Sequence, residues 1–479
     1  GLQHLKVYET TSSYLANLTP AGNLTPAVTF GANGNVFAID SGARRYYSYA
    51  TYQAYGQPEI SSLAEGIDGQ IPNGPALTDI VTQHNIGTIY VVSNSKKRHI
   101  TRESYIADGY SNTYVSWMSG YFVNGMTQGP PVASAGTVLR TSDTNQYSVL
   151  KADRSTRQLI DPSLVGSLTM GSYSDTSGVI NQIPIAQSSS AMKITAKDSS
   201  DNLYLVDGNT KLHLTSSQLT SIGKTAGEFV LADPSFLARL TTTSYTPQQL
   251  LTWIGNDGKV YRSEQGELVH IQSLADFNRL SYSFEQVARL STNTATQLFS
   301  ASNRSLLLSG TLFNVDGGAR VYVSDRSNNI RAIPTSDLFA TDLGLSWGSV
   351  RTINQQTFNH YSKSPDMTNI MTGPDGTHWM ISLGVRYKLT QALLDEYDPA
   401  GLRNAEIDSV IINSSKQGKD ASRFIRIGDD ARVYYIDDGG KIPLGSVDAF
   451  SSRGGTDWNQ VLSLSAQAAS IFETSQTVY

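Results

Sequence analysis

The feature of this sequence that most constrains its fold is an internal repeat of about 57 residues. An aromatic residue inside a short apolar run returns eight times along the 479 residues. These anchoring aromatics are Phe37, Tyr90, Tyr147, Tyr204, Tyr261, Tyr322, Trp379 and Tyr434, at spacings of 53, 57, 57, 57, 61, 57 and 55 residues. A unit this short cannot bury both faces of its own elements, so neighbouring units must stack. The sequence therefore predicts eight tandem modules over residues 28–469.

Each module follows one internal order. An extended segment precedes the aromatic strand, and a turn such as Asp40-Ser-Gly42 or Asp437-Asp-Gly-Gly440 leads into a third extended segment. These turn residues tolerate positive φ and favour hairpins, so we predict three antiparallel strands per module. A Ser or Thr before Leu or Phe, as in Thr215-Ser-Ser-Gln-Leu219, then predicts a short helix. Gly109, Gly223 and Gly344 are placed to end such helices.

These elements predict an all-β fold with short helical inserts. The favoured arrangement is a β-propeller-like array of about eight to nine three-stranded modules, and the alternative is an open β-rich solenoid. Residues 470–479 are similar to the opening of a further module, and residues 1–27 are similar to its missing second half. We expect these segments to complete one split module, either within a chain or head to tail between chains.

Composition excludes several functional classes. The chain has no cysteine, which excludes disulfides, a thiolate nucleophile and Cys-ligated metal centres. The net charge is -5 and the longest basic run is Lys96-Lys97-Arg98, so nucleic acid is not an expected partner. No segment approaches 18 consecutive apolar residues, so no membrane span is predicted. No leader peptide is recognisable in the chain, and Gly1 is expected to follow a removed one.

Two short motifs suggest nucleophilic catalysis, but the repeat explains both better. Gly344-Leu-Ser-Trp-Gly348 matches the nucleophile elbow, yet its Ser-Trp pair aligns with Ser116-Trp117 and Ser283-Phe284, which lack the glycines. Ser93-Asn-Ser-Lys96 occupies a hairpin turn. We therefore expect a non-enzymatic protein. The aromatics of the Ser-Trp position, Trp347, Phe284 and Trp458, are each followed three residues later by Val and are predicted to anchor the edge of the core.

The candidate ligand-binding residues are histidines and tyrosines. His99, His213 and His270 share one third-strand position, which Tyr46 fills in the first module. The segment Tyr46-Tyr-Ser-Tyr-Ala-Thr-Tyr52 is difficult to bury completely, so Tyr46, Tyr47 and Tyr49 are predicted to contribute to a binding surface. Histidines at equivalent positions of different modules would not converge on a metal.

No cofactor is expected. Calcium is the one metal with any support, through acidic turns that lack the full ligand spacing of a calcium loop. These turns are Asn256-Asp-Gly258, Asp316-Gly-Gly318, Asp375-Gly376 and Asp429-Asp430.

The repeat resembles a known class of modules. Ile89-Tyr-Val-Val-Ser-Asn-Ser-Lys-Lys-Arg-His-Ile100, Leu203–Leu214 and Gly344-Leu-Ser-Trp-Gly-Ser-Val350 are similar to repeats of exported cell-surface and cell-wall-associated proteins of actinobacteria and related bacteria. The resemblance implies an extracellular or cell-surface protein for binding or adhesion, with a glycan or another surface component as its partner. The alternative is a structural subunit that self-associates through residues 1–27 and 470–479.

Overall fold

The structure is a computed structural model, which describes residues 27–30, 34–63, 67–187, 189–245, 248–255 and 257–476. The described residues form a mostly β structure of eight small sheets, one for each predicted module. All eight anchoring aromatics lie on the second strand of their sheet, as the repeat predicted. The chain divides into two compact units, residues 1–248 with 290–298, and residues 249–289 with 299–479.

The first unit contains sheets 1 to 4. Their strands, sheet by sheet, are Ala27–Phe30, Val36–Asp40, Ala43–Tyr46 and Ile60–Leu63; Ile80–Gln83, Ile89–Ser93, Lys96–His99, Val115–Met118 and Thr127–Gln128; Val138–Thr141, Tyr147–Leu150, Arg157–Leu159 and Ser172–Asp175; Thr195–Lys197, Leu203–Asp207, Thr210–His213, Val230–Leu231 and Thr241–Ser244.

The second unit contains sheets 5 to 8, except for Leu290 at the end of the fourth strand of sheet 5. The strands of sheets 5 to 8 are Leu251–Ile254, Val260–Glu264, Glu267–Ile271 and Val287–Leu290; Leu312–Val315, Val321–Ser324, Ile330–Ile333 and Arg351–Ile353; Ile370–Thr372, His378–Ser382, Val385–Leu389, Ala405–Glu406 and Lys416–Asp420; Phe424–Ile427, Val433–Asp437, Gly440–Pro443, Leu462–Leu464 and Glu473–Thr474.

Each sheet has four main strands in the spatial order third, second, first, fourth. The first three are antiparallel, and the fourth pairs parallel to the first, as in the pairing of Arg351–Ile353 with Leu312–Val315. Sheets 2, 4, 7 and 8 add a short fifth strand parallel to the third. The predicted three-stranded module is therefore wrong by at least one strand. Fourth strands are only two to four residues long, and this length is too short for a clear alternating pattern.

Short helices occupy the two connections around the fourth strand. Those before it are Tyr49–Ala54, Arg102–Ala107, Pro162–Val165, Ser216–Ser221, Leu274–Arg279, a π-helical turn at Asp337–Asp342, Gln391–Tyr397 and Val447–Ser452. Those after it are Gly120–Gly125, Ser177–Ile180, Pro234–Ala238, Thr292–Leu298, Gln355–His360, Ser409–Ile412 and Ala466–Ala469. Short 3-10 turns lie at Asp68–Gln70, Asn112–Tyr114, Ala226–Glu228, Phe284–Gln286, Trp347–Ser349 and Trp458–Gln460.

The predicted helix and turn signals are present. Thr215 caps its helix by accepting a hydrogen bond from the backbone N–H of Gln218, whose side chain accepts one from Thr215 in return. Gly109, Gly223 and Gly344 have φ values of 75°, 67° and 67°, the left-handed conformation that ends a helix. In the first hairpin Ser41 and Gly42 have φ values of 52° and 75°, as a tight turn between twisted strands requires.

Neighbouring modules share their hydrophobic cores, as the repeat required. One buried cluster joins Ala38 of sheet 1 to Val81 and Met118 of sheet 2. In the second unit, similar clusters join sheet 6 to sheet 7 and sheet 7 to sheet 8. Among the residues that the structure describes, no helix is long and apolar enough to cross a membrane.

Modules that are two apart along the chain are also in contact. Arg239 of the fourth module forms a two-pronged ion pair with Glu103 of the second, at 2.7 and 2.9 Å. Arg279 of the fifth module donates to Asp408 of the seventh at 3.1 Å. Each unit therefore contains contacts between modules that are two apart in sequence as well as contacts between neighbouring modules.

The described part of the last segment belongs to the eighth module. Glu473–Thr474 pairs with Gly440–Pro443 as the fifth strand of that sheet. Residues 1–26 and 477–479 lie outside the described part of the chain. The completion of a split module by residues 1–27 and 470–479 therefore stays a prediction.

Candidate binding surface

The predicted histidines occupy one structural position, each on the third strand of its own sheet. His99, His213 and His270 lie directly across from the anchoring aromatics of sheets 2, 4 and 5. Their ring centroids are 6.1, 5.6 and 5.6 Å from those of Tyr90, Tyr204 and Tyr261. Each lies in a different sheet, and the described residues contain no group of three or more His, Asp or Glu able to hold a metal ion.

His99 has a distinct environment among these histidines. Its ring stacks on Tyr173 of the third module at a centroid distance of 5.1 Å. Burial lowers the pKa of the imidazole, and the nearby carboxylate of Asp175 only partly opposes this shift. The Nδ1 atom is buried and has no hydrogen-bond partner among the residues that the structure describes. His99 is thus a packing residue between two modules, with its ring face covered.

The predicted tyrosines divide between core and surface. Tyr47 is only 3% exposed and makes edge contacts with Tyr52 and Tyr55 at 5.9 and 5.4 Å, so its ring cannot meet a ligand. Burial also raises the pKa of its hydroxyl far above the ordinary value. Tyr46 is 43% exposed and Tyr49 is 71% exposed, so these two remain open to solvent. Successive side chains at the end of a strand point to opposite faces of the sheet, so Tyr46 faces solvent while Tyr47 faces the core.

The serine and acidic motifs have local structural partners. Ser346 precedes a 3-10 turn and its Oγ accepts a hydrogen bond from the backbone N–H of Gly348 at 3.3 Å. Lys96, in the second motif, donates to the side chain of Gln182 at 2.8 Å. In two of the acidic turns, Asp375 accepts from Thr377 and Asp257 accepts from Lys259 and Tyr261. Asn256, the first residue of the latter turn, lies outside the described residues.

A repeated cation, buried in two modules and half-buried in two others, was missed by the sequence analysis. Lys97, Lys211, Arg386 and Lys441 occupy one third-strand position, two residues before that of His99. Each donates to backbone carbonyls at the end of the helix that follows the fourth strand of its own module. These hydrogen bonds run from Lys97 to Val123, Lys211 to Leu237, Arg386 to Ile412 and Ser415, and Lys441 to Ala469 and Phe472.

A cation at that position satisfies carbonyls that a helix leaves unpaired and complements the negative end of its dipole. The same charges lie over the anchoring aromatics: Lys97 is 5.5 Å from the ring centroid of Tyr90, and Arg386 is 5.3 Å from that of Trp379. The sequence contains a signal for this cation, because a basic residue recurs at the same spacing after the anchoring aromatic in these four modules. These cations link the third strand to the last helix within modules 2, 4, 7 and 8 rather than forming a binding site.

The second unit presents a repeated exposed aromatic ring. Phe284, Trp347 and Trp458 each begin the 3-10 turn before the fourth strand and are 57%, 55% and 56% exposed. One face of each ring packs on a buried phenylalanine of the preceding helix. The pairs are Phe284 on Phe277 at 4.8 Å, Trp347 on Phe339 at 4.3 Å and Trp458 on Phe450 at 4.6 Å. We call Phe284, Trp347 and Trp458 the platform rings.

The platform rings are fixed in position by their turns. Ser346 caps the turn that begins at Trp347, and the Asp457 carboxylate accepts from the backbone N–H of Asn459 in the turn that begins at Trp458. The sequence analysis placed these aromatics at the edge of the core, but aligned them with Trp117. Trp117 instead lies within the fourth strand of sheet 2, against His84 at 5.8 Å. The 3-10 turn of that module begins earlier, at Asn112, so the alignment of Trp117 with Trp347 was wrong.

No protein-family model matches the chain, and no curated protein is significantly similar to it. Among solved structures, a chain of the periplasmic assembly from the ESX-5 inner membrane complex is 10% identical, covering 84% of this chain and 94% of that one, with a TM-score of 0.13. A chain of an intact ESX-5 inner membrane complex is 9% identical, covering 72% and 79% respectively, also with a TM-score of 0.13. Scores this low do not establish a common fold.

Proposed function

We propose that this chain is a non-enzymatic binding protein of a bacterial cell surface, whose platform rings bind glycan. The observation that carries the proposal is the repeated half-exposed ring, covered on one face by a core phenylalanine and open on the other. A sugar ring presents an apolar C–H face that packs well on an aromatic plane, and the hydroxyls at its edge remain in water. Tyr46 and Tyr49 offer a smaller exposed surface in the first unit.

Immobilisation of the rings before binding favours this role. A side chain that is already held by stacking loses little rotamer freedom when a ligand binds, so more of the contact energy appears as affinity. Equivalent positions on modules 5, 6 and 8 repeat the ring, which suits a ligand that itself repeats. A polymeric glycan would then bind several weak sites on one chain, and its overall affinity would exceed that of each site.

The finer architecture is part of the same proposal. The sequence analysis favoured a propeller, in which each blade packs mainly on its neighbours around a channel. The alternative, an open β-rich solenoid, likewise stacks each repeat on its neighbours. The contacts between modules two apart, Glu103 with Arg239 and Arg279 with Asp408, add to either arrangement, and the propeller-like array remains the proposed one.

Intrinsic tryptophan fluorescence provides the test. We expect soluble peptidoglycan fragments or a neutral β-linked N-acetylglucosamine hexamer to change the emission saturably, because Trp347 and Trp458 are two of the five tryptophans. Binding measured by calorimetry should weaken at least tenfold in the double variant Trp347→Ala/Trp458→Ala. The matched control is Trp117→Ala, which removes a ring that is 50% exposed but lies outside the platform position. Parental affinity in the double variant, or no saturable binding of either glycan, would reject the proposal.

A further inference from the structure

A small charged cavity lies in the first unit, away from the residues discussed so far. Its volume is about 300 Å³, and it is lined by Arg98, Asp108, Pro131, Val132, Ala133 and Arg154. Arg98 comes from the third strand of sheet 2, Asp108 follows the helix Arg102–Ala107, and Arg154 lies in the hairpin turn of sheet 3. The cavity therefore forms where the second and third modules meet. Its size is at the lower end of small-molecule sites.

The charges in this cavity are not balanced. Both Nη atoms of Arg154 donate to the carboxylate of Asp108, at 3.0 and 2.9 Å, and its Nε donates to the carbonyl of Ala133 at 2.9 Å. The negative charge of Asp108 is thereby balanced by Arg154, and the hydrogen bonds from Arg154 lower the pKa of this carboxyl. Arg98 is the second guanidinium, and no carboxylate among the described residues pairs with it. The lining carries two positive charges and one negative charge.

The position of Arg98 leaves one edge of its guanidinium free. Its Nε donates to the backbone carbonyl of Pro130 at 2.9 Å, which fixes the plane of the group. The two terminal nitrogens are then available together, as a two-pronged donor that matches the geometry of a carboxylate. Burial lowers the pKa of Arg98; Tyr110 opposes this shift and the charge of Arg154 adds to it, so an added anion would stabilise the charged guanidinium.

We propose that this cavity binds the carboxylate of a small acidic ligand of the size of one sugar acid, with Arg98 as the principal partner. The lining has one net positive charge, which a monoanion balances. A phosphate near neutral pH carries up to two negative charges, so it would leave one of them unbalanced. The flat guanidinium edge likewise fits two carboxylate oxygens. This site is distinct from the platform rings, so either proposal can fail without the other.

Calorimetry on the full chain at low ionic strength tests the inference, with sodium glucuronate as the probe and glucose as its neutral analogue. We expect saturable binding of glucuronate, no binding of glucose, and weaker binding of inorganic phosphate. Arg98→Gln should reduce the affinity for glucuronate at least tenfold. The matched control is Arg140→Gln, which removes an arginine of the same unit that contacts Asn145 and Tyr147.

A second variant separates binding from folding. Asp108→Asn removes the competing carboxylate and raises the charge of the cavity by one, so glucuronate should bind several-fold more tightly although an ion pair has been lost. A purely structural role for the three residues predicts weaker binding, or none, in this variant. Equal affinity for glucuronate and glucose, parental affinity in a folded Arg98→Gln protein, or tighter binding of phosphate than of glucuronate would each overturn the assignment.

Discussion

Asp207 in the first unit and Asp342 in the second each accept a hydrogen bond from the serine before a helix, but they occupy different positions in the repeat. Asp207 ends the second strand of sheet 4, and its carboxylate accepts from the N–H and Oγ of Ser291, both at 2.6 Å. Ser291 precedes the helix Thr292–Leu298. At the strand position of Asp207, sheet 7 has Ser382, and the carboxylate comes instead from Asp342 of the preceding module.

Asp342 makes the more extensive network of the two. It is fully buried and accepts from the Oγ atoms of Ser382 and Ser465, from the backbone N–H of Leu383 and from the side chain of Asn369. Ser465 caps the helix Ala466–Ala469 of the eighth module, as Ser291 precedes a helix in the fifth. The comparison teaches that the fold requires a carboxylate at a helix start between modules, and that two sequence positions can provide it.

The largest expected effect is the removal of the Asp342 carboxylate. Asp342→Ala leaves four donors in a buried site without their acceptor, and it should lower the free energy of unfolding by about 4 kcal/mol. Asp207→Ala should cost less, about 2–3 kcal/mol, because Ser291 is only partly buried and water can replace the lost acceptor. Urea unfolding monitored by circular dichroism measures both. The comparison would break if Asp207→Ala proved the more damaging of the two.

These networks explain why part of the structure could be predicted from sequence and part could not. The anchoring aromatics recur at nearly constant spacing because each occupies the second strand of a sheet, so the number of modules and their hairpins follow from counting. The carboxylate at the helix start comes from the end of the second strand in modules 1 and 4, as Asp40 and Asp207, but Asp342 of the preceding module supplies it next to Ser382. Aligning modules therefore conceals it.

The same reasoning applies to the strands and to the candidate site. The two-residue strand Ala405–Glu406 carries no periodic signal, and it is recognised only by its pairing with Met371 and Thr372. Trp117 and Trp347 share a sequence motif, but Trp117 lies inside a fourth strand and Trp347 begins the turn before one, so only Trp347 packs on the helix phenylalanine. Tyr47 and Tyr49 are two residues apart, and only the packing of sheet 1 on sheet 2 shows which one is buried.

A double substitution tests whether the carboxylate of Asp342 can be moved to the strand end, and we expect an intermediate change in the free energy of unfolding. Ser382→Asp combined with Asp342→Ser moves the carboxylate to the position that it occupies in sheet 4. There it can accept from the N–H of Ser465, which now donates to Ser382 at 2.8 Å, and from the Oγ of Ser465. We expect the double variant to be more stable than Asp342→Ser alone by about 2 kcal/mol in urea unfolding.

Two controls make that result interpretable. Ser382→Ala alone shows what the hydroxyl contributes, and Ser382→Asp alone places two carboxylates near each other and should destabilise. If the double variant is no more stable than Asp342→Ser, the position of the carboxylate is not interchangeable, and the similarity between the two networks is superficial.

The smallest expected change in the free energy of unfolding is the difference between a helix cap that joins two modules and a cap within one module. Ser291 accepts from the backbone N–H of Thr294 and also donates to Asp207, whereas Ser446 accepts from Ala449 in a cap within its own module. Ser446→Ala should cost about 1 kcal/mol, as loss of a cap does. Ser291→Ala should cost about 2 kcal/mol, because Asp207 also loses a partly buried donor. Equal losses in urea unfolding would mean that the carboxylate finds another donor, such as Thr294, whose hydroxyl already lies 2.8 Å from it.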